Sequence, residues 1–279
     1  MLHKPTIKSK PVALPSSRRR FLGSLAAAGA VAGTLATSTS LLGCTPVQAA
    51  PEARPPTALD ALNFMLNLEY LQASFYLYLA HGHGLEPTLM GPDAGEVSRG
   101  SRMTFASKPM QQLAQQLAAA EREHVILLRR TISAIGGNPV SIPTLNLAAM
   151  GMPTTDDGFI TLCRQIETIV VSAYTGAIQY LTGNVDAITS VAQLLETEAQ
   201  HEGYFRQLCI ARGITSPAVD SQDTPPRLAS ISNTSPSTGL NPIRNPTQIL
   251  QIVYDMPGVT YASGGGFFPK GMTGAITTT

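Results

Sequence analysis

The chain has 279 residues, 43% hydrophobic and only 13% charged, which allows one large domain or two small ones and suggests long buried helices. The net charge of +1 hides an asymmetry: six of the 19 basic residues (Lys4, Lys8, Lys10, Arg18, Arg19 and Arg20) lie in the first fifty positions, which hold no Asp or Glu, so 13 basic residues face 18 acidic ones over the remainder. That mildly acidic remainder excludes an electrostatic footprint for nucleic acid, and three cysteines with no CxxC exclude a disulfide scaffold.

The first element is an address. Ser17-Arg18-Arg19-Arg20-Phe21-Leu22 resembles the twin-arginine export signal, and an uncharged Ala/Gly-rich run follows from Phe21 to Gly43. The run is long enough to span a membrane, but it is only weakly hydrophobic, so a signal peptide is preferred to an anchor. Leu41-Leu42-Gly43-Cys44 resembles a bacterial lipobox, whereas Val47-Gln48-Ala49 suits ordinary signal peptidase. The expected partner is the twin-arginine translocation machinery. The expected destination is the periplasm or cell envelope, with a lipid anchor on Cys44 if the lipobox is used. Because that route carries folded proteins, any bound group can be loaded before export. Residues 1–50 therefore leave the fold argument.

Residues 51–213 predict four helices. The first runs from about Thr57, with Asp60 completing a capping box, to His81, where Gly82 stops it. A long loop rich in Gly and Pro, from Gly82 to about Ala106, is expected to lie over one end of the bundle. The second helix starts near Ser107, with Pro109 in its first turn, and ends at Gly136-Gly137. About twenty residues containing Pro139, Pro143 and Pro153 follow, enough to run the length of a bundle. The third helix spans about Asp156 to Gly183. The fourth follows within a few residues, which forces an antiparallel pair, and stops at Gly213. The fold class is all-α: a four-helix bundle with one long crossover between its second and third helices. Residues 214–279, rich in Ser, Thr, Pro and Gly with one apolar stretch from Ile249 to Val253, predict an irregular extended arm packing on that bundle.

Each helix carries an acid where its core stripe should be apolar. Glu69 is the only ionisable acid between Leu62 and Ala80, on one stripe with Leu62, Leu66, Ala73 and Tyr76. Glu121 shares its face with Ala114, Leu117, Val125 and Leu128, and His124 projects to the same side. Glu167 lies among Cys163, Val170, Val171 and Tyr174. Glu198 and His201 lie among Leu194, Leu195, Phe205 and Leu208. Glu123, Glu196 and Glu202 fall off these faces. A buried carboxylate without a partner costs several kcal/mol or takes up a proton. A buried ion pair is the plain alternative, but the first helix offers no arginine and the third only Arg164. The order Glu, Glu-x-x-His, Glu, Glu-x-x-His places one element on each helix, and an antiparallel hairpin sets Glu167 level with about residue 201. Four carboxylates balance two divalent ions, iron or manganese, with both imidazoles neutral. Tyr76 and Tyr174 each follow a lone Glu by seven residues, as two related halves would require. They are read as redox-active, as hydrogen-bonding to ligand carboxylates, or as core aromatics, the last preferred. Solvation is preferred for His81 and His83, and two buried thiols are preferred to a disulfide for Cys163 and Cys209.

Leu62-Asn63-Phe64-Met65-Leu66-Asn67-Leu68-Glu69-Tyr70-Leu71, Glu121-Arg122-Glu123-His124-Val125, Val171-Ser172-Ala173-Tyr174-Thr175-Gly176-Ala177 and Glu198-Ala199-Gln200-His201 together resemble the ferritin-like superfamily of dimetal carboxylate proteins, over about residues 55 to 213. The nearest likeness is to the exported branch labelled desiccation-related. Gly266-Phe267-Phe268-Pro269-Lys270-Gly271-Met272 resembles that branch's C-terminal arm. The resemblance implies that Glu121 and Glu198 bridge the metals, that His124 and His201 are terminal ligands, and that Glu69 and Glu167 are the remaining terminal carboxylates. Peroxide or dioxygen chemistry on a small oxidant is the first expectation. The alternatives are metal storage without turnover and a structural stress-protection role at the envelope. A ferritin cage is not expected, because the long loop and the tail would obstruct shell contacts.

Overall fold

A computed structural model describes residues 54–279, so the expectations placed on residues 1–50 (export signal, cleavage motifs, Cys44) lie outside the described residues. The elements are α1 (Ala58–His81), α2 (Pro87–Met90), β1 (Val97–Ser98), α3 (Lys108–Ala134), β2 (Leu145–Asn146), α4 (Asp156–Ala177), a 3-10 turn (Ile178–Leu181), α5 (Val185–Arg212) and α6 (Pro246–Val253). No helix among the described residues is long and apolar enough to cross a membrane.

The helix ends follow local chemistry. The Thr57 hydroxyl accepts the Asp60 amide at 3.2 Å, and the Asp60 carboxylate accepts the Thr57 amide at 2.8 Å, giving the expected capping box. Gly82 closes α1 at φ 83°, a left-handed turn open to glycine at no steric cost. Pro109 sits in the first turn of α3. Asp156 accepts the Ala106 amide at 3.0 Å and the Ser107 amide at 3.1 Å, tying the start of α3 to the start of α4. Those two helices therefore begin at the same end, and the segment between them must return along the bundle, as the crossover requires. The third helix is shorter than expected. Its α-helical part ends at Ala177 and tightens into the 3-10 turn before Asn184 caps α5 by accepting the Ala187 amide at 3.0 Å.

Burial separates the helices into two kinds. In α1, 18 of 24 residues are buried, and in α4 18 of 22, against 10 of 27 in α3 and 8 of 28 in α5. A helix apolar all round needs cover on every side, so the loops and the tail must wrap α1 and α4. The α1–α3 loop pairs with the crossover through the parallel β1–β2 ladder, Val97 opposite Leu145, a pairing not expected from the sequence. The crossover and tail then grip α1. Asn63 accepts the Val140 amide at 2.9 Å, and Asn67 donates to the Thr273 carbonyl at 2.8 Å and accepts its amide at 3.0 Å. The tail packs on the bundle but is not wholly extended. Ile249–Val253 lies in α6, which Asn245 and Gln248 open with a second capping box and Pro246 with its preset φ.

Candidate metal centre

The four long helices bring Glu69, Glu121, His124, Glu167, Glu198 and His201 together in the interior. All four carboxylates are fully buried, while the side chains of His124 and His201 remain 10% and 17% exposed. The atoms form two overlapping groups: Glu69, Glu121, His124 and Glu198, and Glu121, Glu167, Glu198 and His201. Glu121 and Glu198 belong to both, and each divides its two oxygens between the imidazoles. Glu121 Oε2 lies 3.1 Å from His124 Nδ1, and Glu121 Oε1 lies 3.2 Å from His201 Nδ1. Glu198 Oε1 lies 2.8 Å from His124 Nδ1, and Glu198 Oε2 lies 3.8 Å from His201 Nδ1. Glu69 Oε2 completes the His124 side at 3.5 Å, and Glu167 Oε2 completes the His201 side at 4.0 Å. The rings of His124 and His201 stack at 6.1 Å.

These residues fit a pair of cations for a reason beyond proximity. Glu69 Oε2, Glu121 Oε1, Glu198 Oε1 and His201 Nδ1 are buried without a hydrogen-bond partner. Several lie within 3.5 Å of an opposite group yet are not aligned for a hydrogen bond. They converge on shared points instead of pairing with one another. Buried polar atoms are nearly always satisfied, and a cation held among carboxylate oxygens and imidazole nitrogen satisfies such atoms together.

The electrostatics show what protons do when they must serve instead. Burial, reinforced by the neighbouring Glu198 charge, pushes the Glu69 carboxyl up to about 8, and the same causes hold Glu167 well above its ordinary range. Burial also works against ionised Glu198, but the imidazoles of His124 and His201 beside it outweigh that and draw its pKa below the usual carboxylate range. Burial opposes charge on His201, yet Glu121 and Glu198 push the imidazole up to about 11. His124 moves the same way, under Glu121, Glu198 and Glu69.

The tyrosines are buried core aromatics, and their hydroxyls also reach the carboxylates. Tyr174 donates to Glu69 and Tyr76 to Glu167, each across the bundle to the lone acid of the opposite helix pair. Gln72 was missed in the sequence. Its amide donates to Glu167 Oε2 at 3.1 Å and Glu198 Oε2 at 3.0 Å. The signal was present, since Gln72 follows Glu69 by three residues, the spacing that sets His124 after Glu121 and His201 after Glu198. Arg164 does not partner Glu167: it pairs with Asp223 at 2.5 Å. Glu123 and Glu196 are exposed, whereas Glu202 is buried away from the site and accepts the Thr168 hydroxyl at 2.8 Å. His81 and His83 are exposed, and Cys163 and Cys209 are free buried thiols.

The family comparison agrees with this architecture. The ferritin-like domain model matches residues 57–211. A search among curated proteins finds no match. Among solved structures, ferritin-like, diiron-carboxylate proteins from Bacillus anthracis str. Ames are similar with a TM-score of 0.41 and 15% identity, over 54% of this chain and 94% of that one. With the family match running from the Thr57 cap to the last turn of α5, over more than half of the chain, the protein belongs to the ferritin-like domain family.

Proposed function

We propose that this is an exported protein that binds two iron or two manganese ions and uses them on peroxide or dioxygen under oxidative or desiccation stress. The observation that carries the reading is the sharing of Glu121 and Glu198 between two donor groups, each completed by its own histidine and its own lone glutamate. In this reading Glu121 and Glu198 would be shared by the two ions, while Glu69 with His124 would hold one and Glu167 with His201 the other. Ions of this kind, when bound, exchange electrons with a small oxidant. The chain's own part is positional. Tyr174 and Tyr76 fix the terminal carboxylates, and the apolar walls of α1 and α4 exclude water. The imidazoles alone among the six side chains reach the surface, so a small oxidant enters past them, between α3 and α5. The deep burial of all four carboxylates favours a second reading, in which the ions are stored or cement the bundle without turnover.

Elemental analysis of protein taken from its native envelope, with a peroxide-consumption assay, separates the two. Two iron or manganese ions per chain and turnover that disappears in Glu121→Ala support the first reading. Two ions without turnover support the second, and a lower helical melting temperature on chelation then identifies a cementing role. Fewer than two ions per chain removes both readings. Export rests on Ser17–Leu22, and replacing Arg18 and Arg19 by Lys should keep the chain inside the cell.

A further inference from the structure

We infer that Gln72 makes the two ion positions unequal, so that the position beside His124 fills first and holds its ion more tightly than the position beside His201. The inference rests on the dinuclear reading and specifies how that centre loads.

The two halves of the bundle correspond residue by residue around the site. Glu69 and Glu167 are each followed seven residues on by a tyrosine that bonds the opposite half's acid. Glu121 and Glu198 are each followed three residues on by a histidine. The correspondence breaks at one place. Three residues after Glu69 stands Gln72, and three residues after Glu167 stands Val170, both buried.

The consequence falls on one side only. Three carboxylate oxygens face His201: Glu121 Oε1, Glu167 Oε2 and Glu198 Oε2, at 3.2, 4.0 and 3.8 Å from its Nδ1. Gln72 donates to two of them. Once both groups are ionised to hold a cation, two carboxylate acceptors can be bridged only by the NH2 end of an amide, so the orientation of Gln72 is set by its partners. With Tyr76 on the other oxygen, Glu167 has both oxygens engaged. The oxygens facing His124 are Glu121 Oε2, Glu69 Oε2 and Glu198 Oε1, at 3.1, 3.5 and 2.8 Å, and Gln72 touches none of them. Glu69 Oε2 and Glu198 Oε1 have no partner at all.

A hydrogen bond to an ionised acceptor is among the stronger ones, and it draws electron density from the lone pairs that would ligate a cation. An ion beside His201 must therefore share or displace two such bonds. An ion beside His124 meets oxygens that lie nearer their imidazole and that Gln72 leaves alone, Glu121 Oε2 being paired only with His124 itself. Gln72 is thus a positioning residue acting through carboxylates, with no contact to an oxidant required.

The test uses the mature protein, stripped by chelator and titrated with manganese(II) under calorimetry and electron paramagnetic resonance. The wild type should bind two ions in steps separated by roughly tenfold or more in Kd. At one equivalent it should show an uncoupled single-ion signal, replaced by a coupled pair as the second ion enters. Gln72→Met keeps volume and burial but removes the donor. In it the steps should draw together, and coupled pairs should appear by one equivalent. A crystal of the wild type given less than one equivalent should show its anomalous peak beside His124, which keeps the idea testable if the variant does not fold. Equal steps in the wild type, a separation unchanged in Gln72→Met, or a first peak beside His201 each overturn it. A total below two ions per chain instead overturns the dinuclear reading on which it stands.

Discussion

Four carboxyl groups and two imidazoles enclosed together must hold protons whenever no cation balances them, and this gives the metal-free protein an unusual dependence on pH. Glu69, pushed up to about 8 by burial and by Glu198, stays protonated in the folded chain at pH values where the unfolded chain has released that proton. Glu167 behaves the same way. His201, pushed up to about 11 by Glu121 and Glu198 against the effect of burial, keeps its proton where an unfolded histidine loses it near 6.5. A group whose folded pKa is raised stabilises the fold below its unfolded pKa, and that stability is lost as pH rises toward the folded value. Glu69 acts from about 4.5 to about 8, and His201 from about 6.5 upward. Glu198 has its pKa lowered, so its contribution is lost only under acid conditions, below that window. The metal-free melting temperature should therefore fall steadily from pH 5 to pH 8, read by circular dichroism after chelation. Loading with ions should flatten the dependence and release protons into a weakly buffered solution. A metal-free curve that rises over that range would mean the carboxyls are ionised and solvated. Residues of this kind were legible because α1 has no other ionisable acid between Leu62 and Ala80 and no arginine, so that an acid on its apolar stripe needed a distant partner. Gln72 was less visible, since an uncharged amide on a core stripe raises no comparable electrostatic demand.

Three of the four long helices were legible to within a turn because their ends are written in local chemistry. Thr57 with Asp60, Gly82, Pro109 and Gly213 each act within four residues of themselves. Where tertiary contact decides, the sequence carried less. The β1–β2 pair joins residues 48 apart in sequence and has only two residues per strand, too short for an alternating pattern to register. The end of α4 is a second example, and it is testable. Gly176 lies where the tail crosses the helix, and a Cβ there would stand 1.9 Å from the Arg244 carbonyl oxygen. The nearest atoms, of Arg244 and Asn245, are all backbone, so none can rotate aside. Gly176→Ala should lift the tail from α4 and cost about 1–3 kcal/mol or more, measured by chemical denaturation, with faster proteolysis around residue 244. An unchanged midpoint would mean that the tail does not press on α4 in solution. Adding Ala at a helical position would by itself favour the helix, so a loss of stability cannot come from propensity.

Seen as a whole, the molecule is a bundle whose two innermost helices are completed by segments that a bundle does not normally need. The sequence pointed to buried helices and to a tail packing on the bundle, but not to which helices the tail would cover, because that is decided by residues far apart in the chain. Three buried arginines make the attachment: Arg164 to Asp223 and Ser216, Arg206 to the carbonyls of Thr224, Ser230 and Ile231, and Arg244 to Asp220 and Ser172. Arg164 is the most informative of them, since its side chain and that of Asp223 are both fully buried and it stands one turn before Glu167 on α4. A buried ion pair gives little over apolar residues of the same shape, but removing one partner leaves an uncompensated charge. Arg164→Met should therefore cost about 3–5 kcal/mol, whereas Arg164→Met with Asp223→Leu should recover most of that loss. If the tail were a loosely attached extension, the single substitution would cost no more than a surface change, about 0.5 kcal/mol, and the double would match it. Denaturation of all three proteins distinguishes the cases. Manganese affinity measured on the same samples then shows whether the tail's grip on α4 reaches Glu167: a single variant that loses stability and also binds the ion beside His201 more weakly makes residues 214–253 part of the centre's scaffold.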